Sequence, residues 1–170
     1  ARLASMTTNL GIAPRREELE RLGFNVLEES GDRLLAVRNK WHLDLFVTNV
    51  TVVVQVRRVV HLTQAQIQQD YKDLKLEIGS LDPSWIPVGF QHGRCLITTY
   101  LCDTAEEGAR KQAVAAAGAD LGTFYFPAVI EADGRQTYKT GSAYWGAIYY
   151  PLLRYFARRT IDPAAAPEKE

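Results

Sequence analysis

The segment His42–Val60 restricts the fold more than any other part of the sequence, because it is rich in valine and threonine. Valine and threonine are β-branched, pack well on a pleated sheet and are enriched in strands. The segment is longer than an ordinary strand of about 3–10 residues. Thr48-Asn49 is the best position for a break, so the sequence predicts two antiparallel strands within a larger sheet.

Helix signals lie on both sides of this strand-rich region. The stretch from Pro14 to Gly23 begins and ends with residues typical of helix termini, and it carries glutamates in its first turn. A hairpin is predicted around Gly31, between this helix and the valine-rich segment. A second helix is predicted from Thr63, the first residue of a capping box, to Gly79. Its apolar residues share one face: Ile67, Tyr71, Leu74 and Ile78.

The second half of the chain continues the alternation of strands and helices. A strand is predicted over Arg94–Cys102, followed by a helix that Asp103 and Glu106 open, a hairpin turning at Asp133-Gly134 and a last helix. The predicted order is α-ββββ-α-β-α-ββ-α. This order predicts an α+β fold, a mixed and mostly antiparallel sheet with helices packed on it. Parallel strands are expected between Cys95 and Ile130, as in a βαβ crossover.

Length and composition favour one folded domain. The chain has 170 residues, of which 46% are hydrophobic, and its 20 basic and 20 acidic side chains cancel. A chain of this size buries most of its surface on folding, and a balanced charge gives no global attraction for nucleic acid. We assign residues 14–160 to a single α+β domain. Residues 1–13 are expected to be flexible, with the part before Met6 compatible with a vector remnant, and residues 161–170 are expected to form a disordered acidic tail.

The two cysteines indicate the cellular compartment. Cys95 and Cys102 lie seven residues apart on one predicted strand. Such a spacing places the side chains on opposite faces, roughly 23 Å apart, too far for a disulfide. Reduced thiols favour a cytoplasmic protein. No apolar run approaches the ~18 residues of a transmembrane helix.

The aromatic segment 144–160, which includes the last predicted helix, is the strongest candidate for an interaction surface. Aromatic residues and arginines are concentrated in the segment 144–160. One helical face accounts for Trp145, Tyr149 and Phe156, which leaves a surplus of large side chains on the other faces. Tyrosine, tryptophan and arginine are enriched at interface hot spots. We therefore predict a contact surface for a second copy or another protein, made of Tyr144, Trp145, Tyr150, Leu153 and Tyr155.

The sequence offers no strong sign of catalysis. His42, His61 and His92 are scattered without the spacing of a metal site, and no phosphate-binding or nucleophile motif occurs. We predict no catalytic residue, no metal and no cofactor. Nucleic acid and membrane surfaces are the less favoured partners, and no transmembrane segment is expected.

The central part of the chain resembles PD-(D/E)xK nuclease-like cores. In that layout a helix is followed by strands that carry an aspartate, a buried strand ending in Glu-x-Lys, and another helix. Here Asp44 precedes Gln55-Val56-Arg57, and the helix predicted from Thr63 follows. Gln55 offers a neutral oxygen to a metal that prefers carboxylates, and an arginine at the lysine position keeps its proton, so Arg57 does not serve in proton transfer. The resemblance therefore implies a degenerate and inactive site at Asp44, Gln55 and Arg57. A second carboxylate beside Asp44, from Glu28, Glu29 or Asp70, would restore a metal site.

The C-terminal part is similar to the C-termini of uncharacterised bacterial proteins. The similarity lies in the "FPAVIEADGRQTYKT" hairpin and the "YWGAIYYPLLRYF" segment. It implies a bacterial origin and no particular activity. The sequence as a whole predicts a non-catalytic bacterial domain that self-associates or binds another protein, and the alternative is the nuclease-related domain.

Overall fold

A seven-stranded mixed sheet with helices on both faces organises the described part of the chain. The computed structural model describes residues 10–42, 45, 48–88, 91–115, 119–120, 122–141 and 149–164. The helices are α1 (Ala13–Arg21), α2 (Gln64–Leu81), α3 (Glu107–Ala115) and α4 (Tyr150–Ile161). The strands are β1 (Asn25–Glu29), β2 (Arg33–His42), β3 (Thr48–Leu62), β4 (His92–Ala105), β5 (Ala119–Asp120), β6 (Thr123–Glu131) and β7 (Gln136–Tyr138).

The strand order divides the sheet into an antiparallel half and a parallel centre. Strands β1, β2 and β3 form an antiparallel meander. Strand β4 lies parallel to β3, and β6 lies parallel to β4, so that α2 and α3 are crossover helices. Both β5 and β7 pair antiparallel with β6. The α+β class, the order in which blocks of strands alternate with helices, and the predicted crossover from Cys95 to Ile130 are confirmed.

Details of the first strand block differ from the prediction. The break expected at Thr48-Asn49 coincides with the start of β3, but the described residues before α2 form three strands rather than four. Trp41 and His42 extend β2 instead of opening a further strand. Strand β3 reaches 15 residues because it pairs with β2 on one side and with β4 on the other along most of its length.

Two helix boundaries also shift. Helix α2 continues past Gly79 to Leu81, where the amide of Asp82 donates to the carbonyl of Ile78. Strand β4 runs through Asp103 to Ala105 because the parallel pairing with β3 persists there, so α3 begins only at Glu107. Thr63 is the N-cap of α2 and its side chain accepts from the amide of Gln66, as the capping-box pattern predicts.

The side chains on the two faces of the sheet form two separate cores. Helices α1 and α4 cover one face, where the core includes Leu34, Val54, Ile97 and Phe126. Helices α2 and α3 cover the other, with Val53, Leu96 and Val129. Cys95 and Cys102 are free, buried and divided between these two cores, which confirms that they lie on opposite faces. In the described ranges, no helix is long and apolar enough to cross a bilayer.

Candidate functional site

The terminal helix corrects the predicted interaction surface. Tyr150 and Leu153 were expected on the outside, but they are 4% and 1% exposed and belong to the core beneath α1 and α4. Tyr155 is half-buried and packs edge-on against the ring of Phe156. Tyr144 and Trp145 lie outside the described residues. Two members of the predicted surface, Tyr150 and Leu153, are therefore core residues.

The position of α4 explains this burial. The helix contacts both β4 and β6 as well as α1, so more than one of its faces is covered. Pro151 stands in the first turn, where a missing N–H costs nothing, so the helix begins there instead of being kinked. At the other end the guanidinium of Arg15 donates to the carbonyls of Thr160 and Ile161, at 2.6 Å and 3.1 Å, and caps the helix.

The opposite face of the sheet carries a cleft that contains two of the residues singled out by the nuclease resemblance. Gln55 and Arg57 point from β3 toward α2, while Asp44 lies outside the described residues. The cleft has a volume of about 240 Å³. We call it the acidic cleft, and it is lined by Glu28, Ser30, Asp32, Arg33, Gln55, Arg57, Asp70, Asp73, Leu74 and Glu77.

Two arginines bridge the walls of the acidic cleft. Arg33 of β2 donates to Glu28 of β1 and to Glu77 of α2, each at 2.8 Å. Arg57 donates to Asp70 of α2 at 2.8 Å. These ion pairs connect the meander to α2.

Asp70 is the most enclosed carboxylate of the cleft. Its second oxygen accepts from the hydroxyl of Tyr100 at 3.0 Å, and that hydroxyl lies 3.5 Å from the hydroxyl of Tyr125. Burial raises the pKa of Asp70, and Arg57 and Tyr100 offset this only in part. Burial also raises the pKa of Tyr125, to about 12. Both tyrosines therefore remain neutral at physiological pH and act as hydrogen-bonding groups.

Gln55 differs from the other buried polar side chains of the cleft. It is only 3% exposed and its amide makes no hydrogen bond within the described part of the chain, but the amide keeps some accessible surface in the open cleft. In contrast, the Nε–H donors of Arg33 and Arg57 are buried without a partner in the described ranges. Because the Gln55 amide reaches the open cleft, water or a ligand can complete its hydrogen bonds there.

The charge of the cleft favours a cation. Five carboxylates face two guanidinium groups, a formal excess of three negative charges. Partially desolvated clefts of one sign concentrate ligands of the other sign. An organic cation with N–H donors can pair with the carboxylates and with the oxygen of the Gln55 amide at the same time.

The same geometry does not suit a metal ion. Both oxygens of Asp70 already accept hydrogen bonds, from Arg57 and Tyr100. Glu29 pairs with Arg16 of α1 and is not among the residues that line the cleft. No group of three or more histidine, cysteine or carboxylate side chains is arranged to hold a metal within the described ranges.

A second polar cluster occupies the same face of the sheet near the start of β3 and β4. We call it the loop cluster, and it consists of Thr51, Asp82, His92 and Arg94. Asp82 accepts from Thr51 at 2.7 Å and from Arg94 at 2.6 Å, and the ring of His92 lies 3.1 Å from it. Burial alone would raise the pKa of Asp82, but the hydrogen bonds from Thr51, the Ser84 amide and Arg94 together lower it.

The loop cluster closes the loop between α2 and β4. The Nδ1 atom of His92 lies 2.7 Å from the carbonyl oxygen of Ile86, which fixes the middle of that loop. His92 is fully buried and the Asp82 side chain is 1% exposed. Because its members bond to one another and to the loop, this cluster is structural.

Sequence reasoning identified part of the acidic cleft. Gln55 and Arg57 were named for a different chemistry, and Glu28 and Asp70 were named as possible neighbours of Asp44. Arg33, Asp32, Asp73 and Glu77 were missed. The signal for three of the carboxylates was present, since Asp70, Asp73 and Glu77 are spaced three and four residues apart and share one face of α2.

Comparison with known proteins gives no assignment. No family model matches the chain, and no curated protein matches it.

Proposed function

We propose that this chain is a non-catalytic protein-interaction domain that uses the acidic cleft to bind a basic side chain of its partner. The observation that carries this proposal is the Gln55 amide, which lines the cleft and has no hydrogen-bond partner among the described residues. An amide in this position is open to the cleft, so that a ligand can replace the water bound to it. A binding role accounts for its position.

The excess of carboxylates supports a basic contact, and the free buried thiols support a cytoplasmic setting as part of the proposal. Self-association through α4 is not retained, because Tyr150 and Leu153 are core residues.

Calorimetric titration of the full chain tests the proposal. Two capped tripeptides with a central lysine or arginine should bind, and a capped tripeptide with a central glutamate should not. Gln55→Leu should lower the affinity for the basic peptides by about tenfold, the value of one hydrogen bond to a charged group. Gln136→Leu, a glutamine exposed on β7, is the matched control and should bind like the wild type.

Two results would contradict the proposal. One is the absence of heat with both basic peptides. The other is equal binding by the wild type and by Gln55→Leu, because the contact would then lie elsewhere on the surface.

The nuclease-related reading remains the alternative, and one observation favours it. Gln55, Arg57, Glu28 and Asp70 share one cleft, as a degenerate site would require. A thermal-shift assay with Mg²⁺ and Mn²⁺ separates the two proposals, since a ligand that prefers the folded state raises its melting temperature. The interaction proposal predicts no shift with either ion, and a shift that Asp70→Asn abolishes would favour the alternative.

A further inference from the structure

We infer that the basic side chain held by the acidic cleft is an arginine, bound through its guanidinium group. This inference rests on the proposed function and specifies its ligand. The residues that line the cleft restrict three properties of the ligand: its charge, its hydration and its size.

The charges of the cleft are incompletely balanced. Arg33 is held between Glu28 and Glu77, and Arg57 is held by Asp70. Within the part of the chain that the structure describes, neither Asp32 nor Asp73 forms an ion pair. The cleft therefore has carboxylates available for one more cation without displacing either arginine.

The depth of the Gln55 amide favours guanidinium over ammonium. To reach that amide, a cation must leave much of its water behind, because Gln55 is 3% exposed. A guanidinium is more weakly hydrated than an ammonium. It also offers five N–H donors in one plane, so that some can bind the amide oxygen while others bind the carboxylates of the rim.

The size and position of the cleft favour a side chain of a protein. Its volume of about 240 Å³ lies below the roughly 300–1,000 Å³ of sites for drug-sized ligands. Ser30 and Asp32 of the β1–β2 turn form part of its edge, so it opens at the surface where a chain can approach.

The first experiment compares methylguanidinium with methylammonium by titration of the full wild-type chain, followed by amide NMR shifts. Methylguanidinium should bind at least about tenfold more tightly, and its shifts should map to β2, β3 and α2 around the cleft. Gln55→Leu should remove this preference, while Gln136→Leu should keep it. Asp73→Asn, at the exposed rim, should weaken both cations without affecting the fold.

The second experiment repeats the comparison with capped tripeptides that carry a central arginine or lysine. The arginine peptide should keep the preference over lysine. Equal affinities for the two peptides would overturn the arginine assignment, while the proposed function would stand. Binding of methylguanidinium without binding of the arginine peptide would overturn the protein partner in favour of a free guanidinium compound. Binding of neither small cation nor peptide would overturn the inference and the proposed function together.

Discussion

The acidic cleft and the loop cluster lie on the same face of β3, but they differ in whether their polar side chains are hydrogen-bonded within the described chain. Thr51 and Gln55 lie four residues apart on β3 and both point toward α2. The hydroxyl of Thr51 contacts Asp82, His92 and Asn39. The amide of Gln55 has no partner within the described chain. The difference separates a polar group that stabilises the fold from one that is available for a ligand.

The two buried aspartates show the same contrast. Asp82 receives enough hydrogen bonds to lower its pKa despite its burial, whereas the pKa of Asp70 is raised because burial outweighs Arg57 and Tyr100. The protein therefore stabilises the charged form of Asp82 better than water does, and it stabilises the charged form of Asp70 less well than water does.

The largest effect is expected from removing the centre of the loop cluster. Asp82→Ala leaves Arg94, His92 and Thr51 without their common acceptor in a buried site. Breaking such a buried pair costs about 3–5 kcal/mol of unfolding free energy. Chemical denaturation checks this, and a loss below about 1 kcal/mol would show that the loop cluster is not structural.

Two substitutions on β3 test whether the side chains of Thr51 and Gln55 contribute differently to stability. Thr51→Val should cost roughly 1–3 kcal/mol because it leaves buried partners unpaired. Gln55→Leu should change the unfolding free energy by less than about 1 kcal/mol, because the amide makes no hydrogen bond within the described chain. Denaturant unfolding of both variants measures the difference, and equal losses would remove the distinction between the two regions.

The smallest effect is a difference in pH dependence. The lowered pKa of Asp82 contributes stability above the unfolded value, about 3.9, and this is lost as the pH falls through the folded pKa. The raised pKa of Asp70 acts in the other direction, so its contribution grows as the pH falls from neutral toward about 4. The unfolding free energy of Asp82→Asn should therefore approach that of the wild type below pH ~4. The unfolding free energy of Asp70→Asn should drop further below that of the wild type as the pH falls toward ~4. Urea titrations at several pH values check both signs.

The sequence predicted the fold well where local patterns determine it. The capping box at Thr63 and the apolar stripe of α2 gave the helix, and the valine-rich run gave the central strand. The end of α2 was missed because Gly79 tolerates a helix that tertiary contacts extend. The burial of Tyr150 and Leu153 was missed because one helix face was counted as core, whereas α4 packs against both the sheet and α1.

The candidate site was only partly predictable for a related reason. Gln55 stood out in the sequence, but its missing partner is a property of packing between β3 and α2. The pairing of Arg33 with Glu28 and Glu77 joins residues up to 44 positions apart, and no local spacing indicates it. The spacing of Asp70, Asp73 and Glu77 on α2 is a local pattern that does indicate part of the cleft.

The NMR signal of the Gln55 side-chain NH₂ group tests the central claim most directly. It can be assigned as the resonance that disappears in Gln55→Leu and persists in Gln136→Leu. When the capped arginine tripeptide is added, this resonance should shift saturably, together with the backbone amides of Arg33 and Glu77. A Gln55 resonance that stays unchanged while the peptide saturates another surface would contradict the account.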